Sequence, residues 1–271
     1  MPRVGAPHTT MRIDQLLVQR EMASTRSQAQ RLIAAGVRWR SDGAWKRVAK
    51  NGDDVAPEAE IELLDASEAR FVSRGGLKLD GALDHVGLDV AGLLCLDVGQ
   101  STGGFTDCLL RRGAGHVVGV DVGYGQLHEQ LRSDPRVSCI ERVNARHLAQ
   151  SDLQPAFDAL AGSGARRVDF DLVVGDLSFI SQTLVLPALT PWLKPSGSLL
   201  LLVKPQFELQ PGQVGKGGVV TDHLLFAAVE QRIRVAHTAL GLRVLAYFAC
   251  GIDGGDGNRE FFVHSIRLPE V

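Results

Sequence analysis

Four charged residues stand at the edges of hydrophobic segments, in the order lysine, aspartate, lysine, glutamate. Lys78 follows two glycines at the start of a predicted helix, and Asp176 ends the buried run DLVVGD. Lys204 ends the run LLLLVK, and Glu260 begins the last predicted strand. Because ligands of open α/β sheets bind outside the carboxyl ends of the strands, we expect Asp176 and Lys204 to face a ligand crevice. Lysines and carboxylates gathered there are groups that hold or move a proton.

A glycine-rich turn, GQSTGG at residues 99–104, follows a buried strand that ends near Asp97. Glycines let the backbone approach a ligand closely, and the helix that follows offers free N–H groups. The turn is not a GxxxxGK[ST] phosphate loop, because Phe105 follows the last glycine, and it is not GxGxxG. Asp121 ends the next strand, where a carboxylate suits a ribose diol. The pair indicates an adenosine cofactor, and the missing pyrophosphate fingerprint favours S-adenosylmethionine over NAD.

The elements that must position these residues alternate between strands and helices. Runs of Val and Leu without polar alternation predict strands buried on both faces, as in a parallel sheet. The predicted strands lie at residues 93–96, 117–120, 137–140, 170–174, 199–203, 242–248 and 261–263, and the predicted helices at 104–112, 181–193 and about 222–240. This order predicts an α/β fold with a doubly wound sheet.

The first part of the chain predicts a smaller α+β module over residues 11–63. Apolar residues repeat at helical spacing from Ile13 to Leu17, with Asp14 off their face. A second helix begins after Thr25. The strings VRWR and WKRV flank a turn at Asp42 and predict a β-hairpin. We interpret residues 1–10 as a loose leader, with Met11 as an alternative start, and residues 64–74 as a linker.

Charge divides unevenly between these parts. Residues 1–50 contain ten lysines and arginines against three acids, residues 51–70 one against seven, and residues 71–271 eighteen against 21. A basic block ahead of a near-neutral body indicates a polyanion-binding appendage, although charge alone leaves an ordinary solvated face equally open.

The composition excludes several classes of protein. Hydrophobic residues make up 45% and charged residues 22% of the 271 residues, as in ordinary globular chains. The longest aliphatic run, residues 199–203, is far shorter than the roughly 20 residues of a membrane span, and the leader lacks the apolar stretch of a signal peptide. Four scattered cysteines without a CxxC pair favour a cytoplasmic protein with free thiols and no metal site: Cys95, Cys108, Cys139 and Cys250.

The basic module resembles the S4 RNA-binding domain over the stretch RIDQLLVQREMASTRSQAQRLIAAGVRW. The sequence departs from the usual pattern at the turn, where Ser-Asp-Gly replaces Val-Asn-Gly, and at Lys50-Asn51, which replaces Lys-Pro. The resemblance implies that five arginines face RNA phosphates: Arg12, Arg26, Arg31, Arg38 and Arg40. Guanidinium groups match phosphate oxygens bidentately, which supports this assignment physically.

The larger domain, residues 75–271, resembles the RNA 2′-O-ribose methyltransferases related to FtsJ, whose Lys-Asp-Lys-Glu tetrad has the same order. With the S4-like module in front, residues 11–267 resemble the TlyA family, also called haemolysin A. The motifs SRGGLKL, STGGFTD, VVGDLSFIS, LLVKPQFE and GGDGNREFF carry this resemblance together. It implies a Rossmann-like class I methyltransferase domain that uses S-adenosylmethionine and methylates riboses of ribosomal RNA, usually cytidines, in ribosomal subunits, without a metal or a membrane.

The resemblance also implies the site residues. Lys78, Asp176, Lys204 and Glu260 would be catalytic. The cofactor would be bound by Asp97, Gly99, Gln100, Ser101, Thr102, Gly103, Gly104, Phe105, Asp121, Asn144 and Asp176. Gln100 stands where the family usually has a smaller residue, so we expect it to crowd or contact the cofactor.

The role of Lys204 stays open at this stage. A lysine has a reference pKa of about 10.4, so acting as a base at neutral pH requires burial or a nearby cation. Lys204 would therefore either accept the proton of the 2′-hydroxyl or stay charged and orient that oxygen.

The sequence gives less support to three other functions. An RNA base N-methyltransferase is suggested by DLSF at residues 176–179, which is reminiscent of the Asp/Asn-Pro-Pro-aromatic motif, but the prolines are absent. A membrane-active haemolysin lacks an apolar span and a basic amphipathic helix. A non-catalytic RNA-binding factor would not need both the glycine turn and the tetrad.

Overall fold

The computed structural model describes residues 10–41, 43–64, 69–161, 167–215, 217–254 and 257–269. Most of the predicted leader, Asp42 of the predicted hairpin and residues 65–68 of the predicted linker lie outside this part. Two compact units divide the chain after Arg74.

The first unit contains two helices and two small sheets. The helices are α1 (Ile13–Gln19) and α2 (Arg26–Gly36), and the strands are β1 (Met11–Arg12), β2 (Val37–Arg40), β3 (Lys46–Arg47), β4 (Asp54–Val55) and β5 (Glu60–Leu63). Strand β1 pairs with β4, and the other three form an antiparallel sheet in the order β3-β2-β5. Thr25 caps α2 by accepting a hydrogen bond from the Gln28 backbone at 3.2 Å, as a capping residue should.

One detail of the first unit differs from the sequence pattern. Asp14 was expected off the apolar face of α1, but its side chain is completely buried. The reason is neutralisation by two arginines, since Arg12 Nη2 and Arg26 Nη2 lie 3.0 and 2.9 Å from Asp14 Oδ2. A buried carboxylate is tolerated where such charged partners surround it.

The second unit is built on a seven-stranded sheet. Its strands are β6 (Leu94–Val98), β7 (His116–Asp121), β8 (Val137–Glu141), β9 (Phe170–Gly175), β10 (Leu193–Val203), β11 (Leu242–Ala249) and β12 (Phe261–Arg267). They lie in the order β11-β12-β10-β9-β6-β7-β8, and five neighbouring strands from β10 to β8 run parallel. Strand β12 inserts antiparallel between β10 and β11, so the sheet is mixed at this edge. The parallel strands match the predicted α/β fold.

The helices of the second unit begin with α3 (Arg74–Val86) and α4 (Gly104–Arg111). They continue with α5 (Glu129–Arg132), α6 (Gln150–Ala161), α7 (Leu186–Leu189), α8 (Pro205–Glu208) and α9 (Leu224–Ala239). The helix predicted at residues 181–193 is wrong, because this segment forms only α7 and two short 3₁₀ turns. Pro187 and Pro191 lie in this segment, and a proline inside a helix removes a backbone donor and clashes with the preceding turn. Among the described residues, no helix is both long and apolar enough to cross a membrane.

Candidate functional site

The turns after β6 and β7 are tied together by Asp121. Its Oδ2 accepts a hydrogen bond from the Ser101 backbone at 2.7 Å, and its Oδ1 accepts one from the Gly123 backbone at 2.6 Å. Gly99 has a φ of +83°, and an added Cβ would lie 2.8 Å from the Asp176 carbonyl oxygen, so the turn requires glycine there. Each carboxylate oxygen of Asp121 keeps a second lone pair for a ligand hydroxyl.

A cavity of about 440 Å³ opens beside these turns. Five of the predicted cofactor residues line it: Gly99, Ser101, Asp121, Asn144 and Asp176. Its apolar walls come from residues that the sequence analysis did not single out, among them Val120, Val143 and Ile180. A cavity of this size, mostly apolar with a few convergent polar groups, suits a small organic ligand.

Six other predicted cofactor residues do not line this cavity: Asp97, Gln100, Thr102, Gly103, Gly104 and Phe105. The expectation that the Gln100 side chain crowds or contacts the cofactor needs correction. That side chain is buried over Gly119, where an added Cβ would lie 2.0 Å from its amide, and it donates to Thr106 Oγ1 at 2.9 Å. Thr106 in turn donates to Asp97 Oδ2 at 2.7 Å, so Gln100 belongs to a polar chain in the core.

Asp97 is completely buried at the base of this chain. Burial raises its pKa to about 7; the carboxylates of Asp176 and Asp121 add to the rise, and the hydrogen bond from Thr106 opposes it. Asp97 Oδ1 has no hydrogen-bond partner among the described residues. Desolvation without a cationic partner favours the neutral form of a carboxyl group.

A second cavity of about 540 Å³ is lined by three tetrad residues, Lys78, Lys204 and Glu260. The fourth, Asp176, lines the first cavity, and both cavities share Ser178 and Phe179 in their walls. The four residues form two close ion pairs: Lys78 Nζ lies 2.5 Å from Glu260 Oε2, and Lys204 Nζ lies 2.5 Å from Asp176 Oδ1. The structure therefore places the predicted catalytic residues in adjoining walls of two neighbouring cavities.

The sheet explains why residues so distant in sequence meet. In the parallel pair of β9 and β10, Gly175 lies opposite Leu201, so Asp176 and Lys204 leave the sheet at the same edge. In the antiparallel pair of β10 and β12, Val203 lies opposite Phe261, which brings Glu260 to that edge as well. Pro205 begins α8 directly after Lys204 and ends the strand there.

Two residues of the DLSF run contribute to the site in a way that sequence analysis missed. Lys204 Nζ donates to Ser178 Oγ at 2.8 Å, in addition to its ion pair with Asp176. The Phe179 side chain is 91% exposed, and its φ is +64°, an unusual backbone conformation for a bulky residue. Its ring centroid lies 5.2 Å from that of Phe207. The sequence marked the run as a motif but did not show its exposure.

The arginines predicted to bind RNA are mostly paired with acids of the first unit. Arg12 and Arg26 contact Asp14, as described above. Arg38 pairs with Glu62 at 2.7 Å and Arg40 with Glu60 at 2.6 Å, and both guanidinium groups lie about 5 Å from the Trp45 ring centroid. The side chain of Arg31 donates to the Ser27 carbonyl oxygen at 3.2 Å. Four of the five arginines are thus partly exposed and paired with an acidic side chain of the same unit. Their contacts with RNA stay a prediction.

Comparison with known proteins decides the family. The description "FtsJ-like methyltransferase" matches residues 71–267, and "S4 domain" matches residues 11–36. The chain belongs to the FtsJ-like methyltransferase family. The predicted S4 domain and the predicted Rossmann-like methyltransferase domain are confirmed by these matches.

Relatives of this FtsJ-like methyltransferase extend over most of the chain. It is 45% identical to "16S/23S rRNA (cytidine-2'-O)-methyltransferase TlyA" of Mycobacterium tuberculosis, over 93% of this chain and 88% of that protein. It is 34% identical to "Hemolysin A" of Brachyspira hyodysenteriae, over 94% and 100% of the two chains. A solved structure described as a hemolysin from Streptococcus thermophilus has 34% identity and a TM-score of 0.71, over 97% and 90%. The resemblance to the TlyA family is confirmed.

Proposed function

We propose that this protein transfers the methyl group of S-adenosylmethionine to the 2′-hydroxyl of a cytidine in ribosomal RNA. The observation that carries the proposal is the position of Lys204, whose ammonium group contacts Asp176 and Ser178 where the two cavities share their walls. The M. tuberculosis relative, named for this reaction on 16S and 23S rRNA, supports the choice of substrate.

The residues of the first cavity fit the cofactor. Asp121 offers carboxylate lone pairs to a ribose diol, and apolar side chains flank the space in which an adenine ring would be enclosed. Gly99, with its φ of +83°, lets the backbone pass close to the ligand without a Cβ. When bound, S-adenosylmethionine supplies an electrophilic methyl group on a sulfonium.

The second cavity would hold the ribose that is methylated. Lys204 Nζ either orients the 2′-oxygen as an ammonium group or, as a neutral amine, takes its proton, and Asp176 and Ser178 hold the nitrogen in place. Lys78, held by Glu260, adds a second positive charge to the same wall and favours the oxygen as it loses its proton. If Lys204 takes the proton, this reaction calls for no metal ion.

Recognition of the RNA would be shared between the units. The exposed Phe179 ring offers a face on which the base of the target nucleotide can stack, as unpaired bases do on aromatic side chains. The exposed guanidinium groups of the first unit, which contains the S4 domain and is called the S4 unit below, would contact phosphates of ribosomal RNA or of a ribosomal subunit. We place this activity in the cytoplasm, where that substrate occurs.

The decisive experiment is transfer of a labelled methyl group from S-adenosylmethionine to ribosomal RNA, followed by nuclease mapping. We expect the label on a cytidine 2′-oxygen. Lys204→Ala should lower kcat by about 10²–10⁴-fold, because positioned acid–base groups contribute that much, while cofactor affinity stays nearly unchanged. Lys194→Ala, which breaks an ion pair with Asp171, is the matched control and should keep its activity. Label on a base nitrogen, or wild-type turnover in Lys204→Ala, contradicts the proposal.

A further inference from the structure

The two segments that carry the proposed catalytic contact come from different strands. Residues 176–182 follow β9 and residues 204–208 follow β10. At the cavity they are joined by the Lys204 contacts and by the ring pair of Phe179 and Phe207. The ring pair is poorly protected from water, because Phe179 is almost fully exposed.

A third contact between the same segments is buried. Glu208 ends α8, and the residue is only 3% exposed. Its Oε2 accepts a hydrogen bond from Ser181 Oγ at 2.5 Å, and its Oε1 accepts one from the Gln182 backbone N–H at 2.8 Å. One carboxylate thus holds two consecutive residues of the other segment. Arg232 donates to the backbone oxygen of Glu208 and anchors the end of α8 to α9.

Burying the Glu208 carboxylate carries a desolvation penalty. Burial raises the pKa of Glu208, and the hydrogen bonds from Ser181 and Gln182 and the charge of Arg232 reduce that rise without cancelling it. An apolar side chain of similar size would avoid the desolvation penalty, but it would leave the Gln182 N–H buried without a partner. Two charge-assisted hydrogen bonds instead fix the distance and angle between the segments.

We propose that Glu208 is a positioning residue for methyl transfer, holding the segment of Ser178 against the segment of Lys204 so that their side chains meet between the cavities. The inference rests on the proposed function. Glu208 does not line either cavity, so it acts through Lys204 and Ser178 and not on the substrate.

The first test measures single-turnover methyl transfer to ribosomal RNA with labelled cofactor. Glu208→Ala should lower the rate by about 10²-fold, because small misplacements of reacting groups have effects of that size. Glu208→Gln keeps one acceptor for the Gln182 N–H and a partner for Ser181, so it should recover most of the rate. Asp171→Ala is the matched control: Asp171 also accepts a backbone hydrogen bond and pairs with a lysine, but at the opposite end of β9.

Two readouts separate positioning from general damage. In the Lys204→Ala background, Glu208→Ala should lower the residual rate by less than about twofold, because coupled residues are not additive. Hydrogen exchange of residues 177–183 should quicken in Glu208→Ala and not in Asp171→Ala. If Glu208→Ala does not fold, Ser181→Ala removes one of the two hydrogen bonds and should still lower the rate about threefold to tenfold.

The outcomes that overturn the inference are specific. A wild-type rate in Glu208→Ala or in Ser181→Ala, or a full further loss in the Lys204→Ala background, excludes a positioning role. An inactive wild-type protein with intact cofactor binding would instead contradict the proposed function, and a fully active Lys204→Ala protein would contradict the assignment of Lys204.

Discussion

Two completely buried aspartates, one in each unit, respond to burial in opposite ways. Asp14 of the S4 unit accepts hydrogen bonds from Arg12 and Arg26, and these partners hold its pKa well below the usual range. Asp97 of the second unit accepts a hydrogen bond from the uncharged Thr106 hydroxyl, and burial raises its pKa to about 7. The same residue type at the same exposure is thus a fixed anion in one place and a titrating acid in the other. The cationic partners and the depth of burial together decide which form of the carboxyl group the fold retains.

The largest loss of stability should come from removing an arginine partner of the buried Asp14. Arg26→Glu removes one of the two cations of Asp14 and places a carboxylate beside it. Arg26 is about half exposed and Arg12 remains as a partner of Asp14, so we expect the S4 unit to lose about 1–3 kcal/mol of stability in urea unfolding. Arg31→Glu, on the same helix but bonded to the Ser27 carbonyl, is the control and should cost much less. Equal stability of the two variants would show that Asp14 does not depend on Arg26.

A practical consequence follows for RNA-binding assays. Charge reversal at Arg26 would weaken RNA binding by damaging the S4 unit, whether or not Arg26 contacts a phosphate. Arg31 and Arg40 are the better positions for such assays, because neither supports the buried carboxylate.

Asp97, whose pKa is raised by burial, should make the stability of the second unit depend on pH. The pKa of Asp97 is about 7 in the folded protein and about 3.9 in an unfolded chain, so the folded state alone holds the proton between these values. Stability contributed by Asp97 is therefore present at low pH and is lost as pH rises through this window, on the order of a few kcal/mol in total. Asp97→Asn should remove this slope from the free energy of unfolding of the second unit.

The measurement is the difference in unfolding free energy between wild type and Asp97→Asn across about pH 5 to 8. Burial lowers the pKa of His237 to about 4, so the stability that His237 contributes is lost as pH falls. This is the opposite direction to Asp97. Both proteins contain His237, so its contribution cancels in the difference. A difference that does not change with pH would mean that Asp97 is ionised throughout.

The smallest effect on stability is expected at an exposed pair. Arg40 and Glu60 lie 2.6 Å apart, with 43% and 58% of their side chains exposed. Exposed ion pairs contribute little to stability, so Arg40→Ala should scarcely change the unfolding of the S4 unit. Its effect should appear in RNA binding, where the slope of log affinity against log salt should fall by about one. Glu60→Ala keeps the arginine and should leave that slope unchanged or steeper; a slope unaffected by Arg40→Ala would remove Arg40 from the interface.

Some features of the site could be predicted from the sequence, and others could not. Asp176, Lys204 and Glu260 were predictable as a group because each ends or begins a hydrophobic run, and strand pairing brings such ends to one edge. The burial of Asp14 was not predictable, because helical periodicity registers the polarity of a residue but not an arginine twelve positions away that pairs with it. The role of Ser178 depends on a loop conformation, which local patterns do not define.

The pairing of Lys78 with Glu260 also has a consequence in time. The two residues are 182 positions apart, and the strand that Glu260 precedes must insert between β10 and β11 before the pair can form. At synthesis rates of about 5–20 residues per second, roughly 10–40 s separate their appearance on the ribosome. Throughout that interval the ion pair of Lys78 and Glu260 cannot exist, so this wall of the second cavity is completed only when β12 joins the sheet.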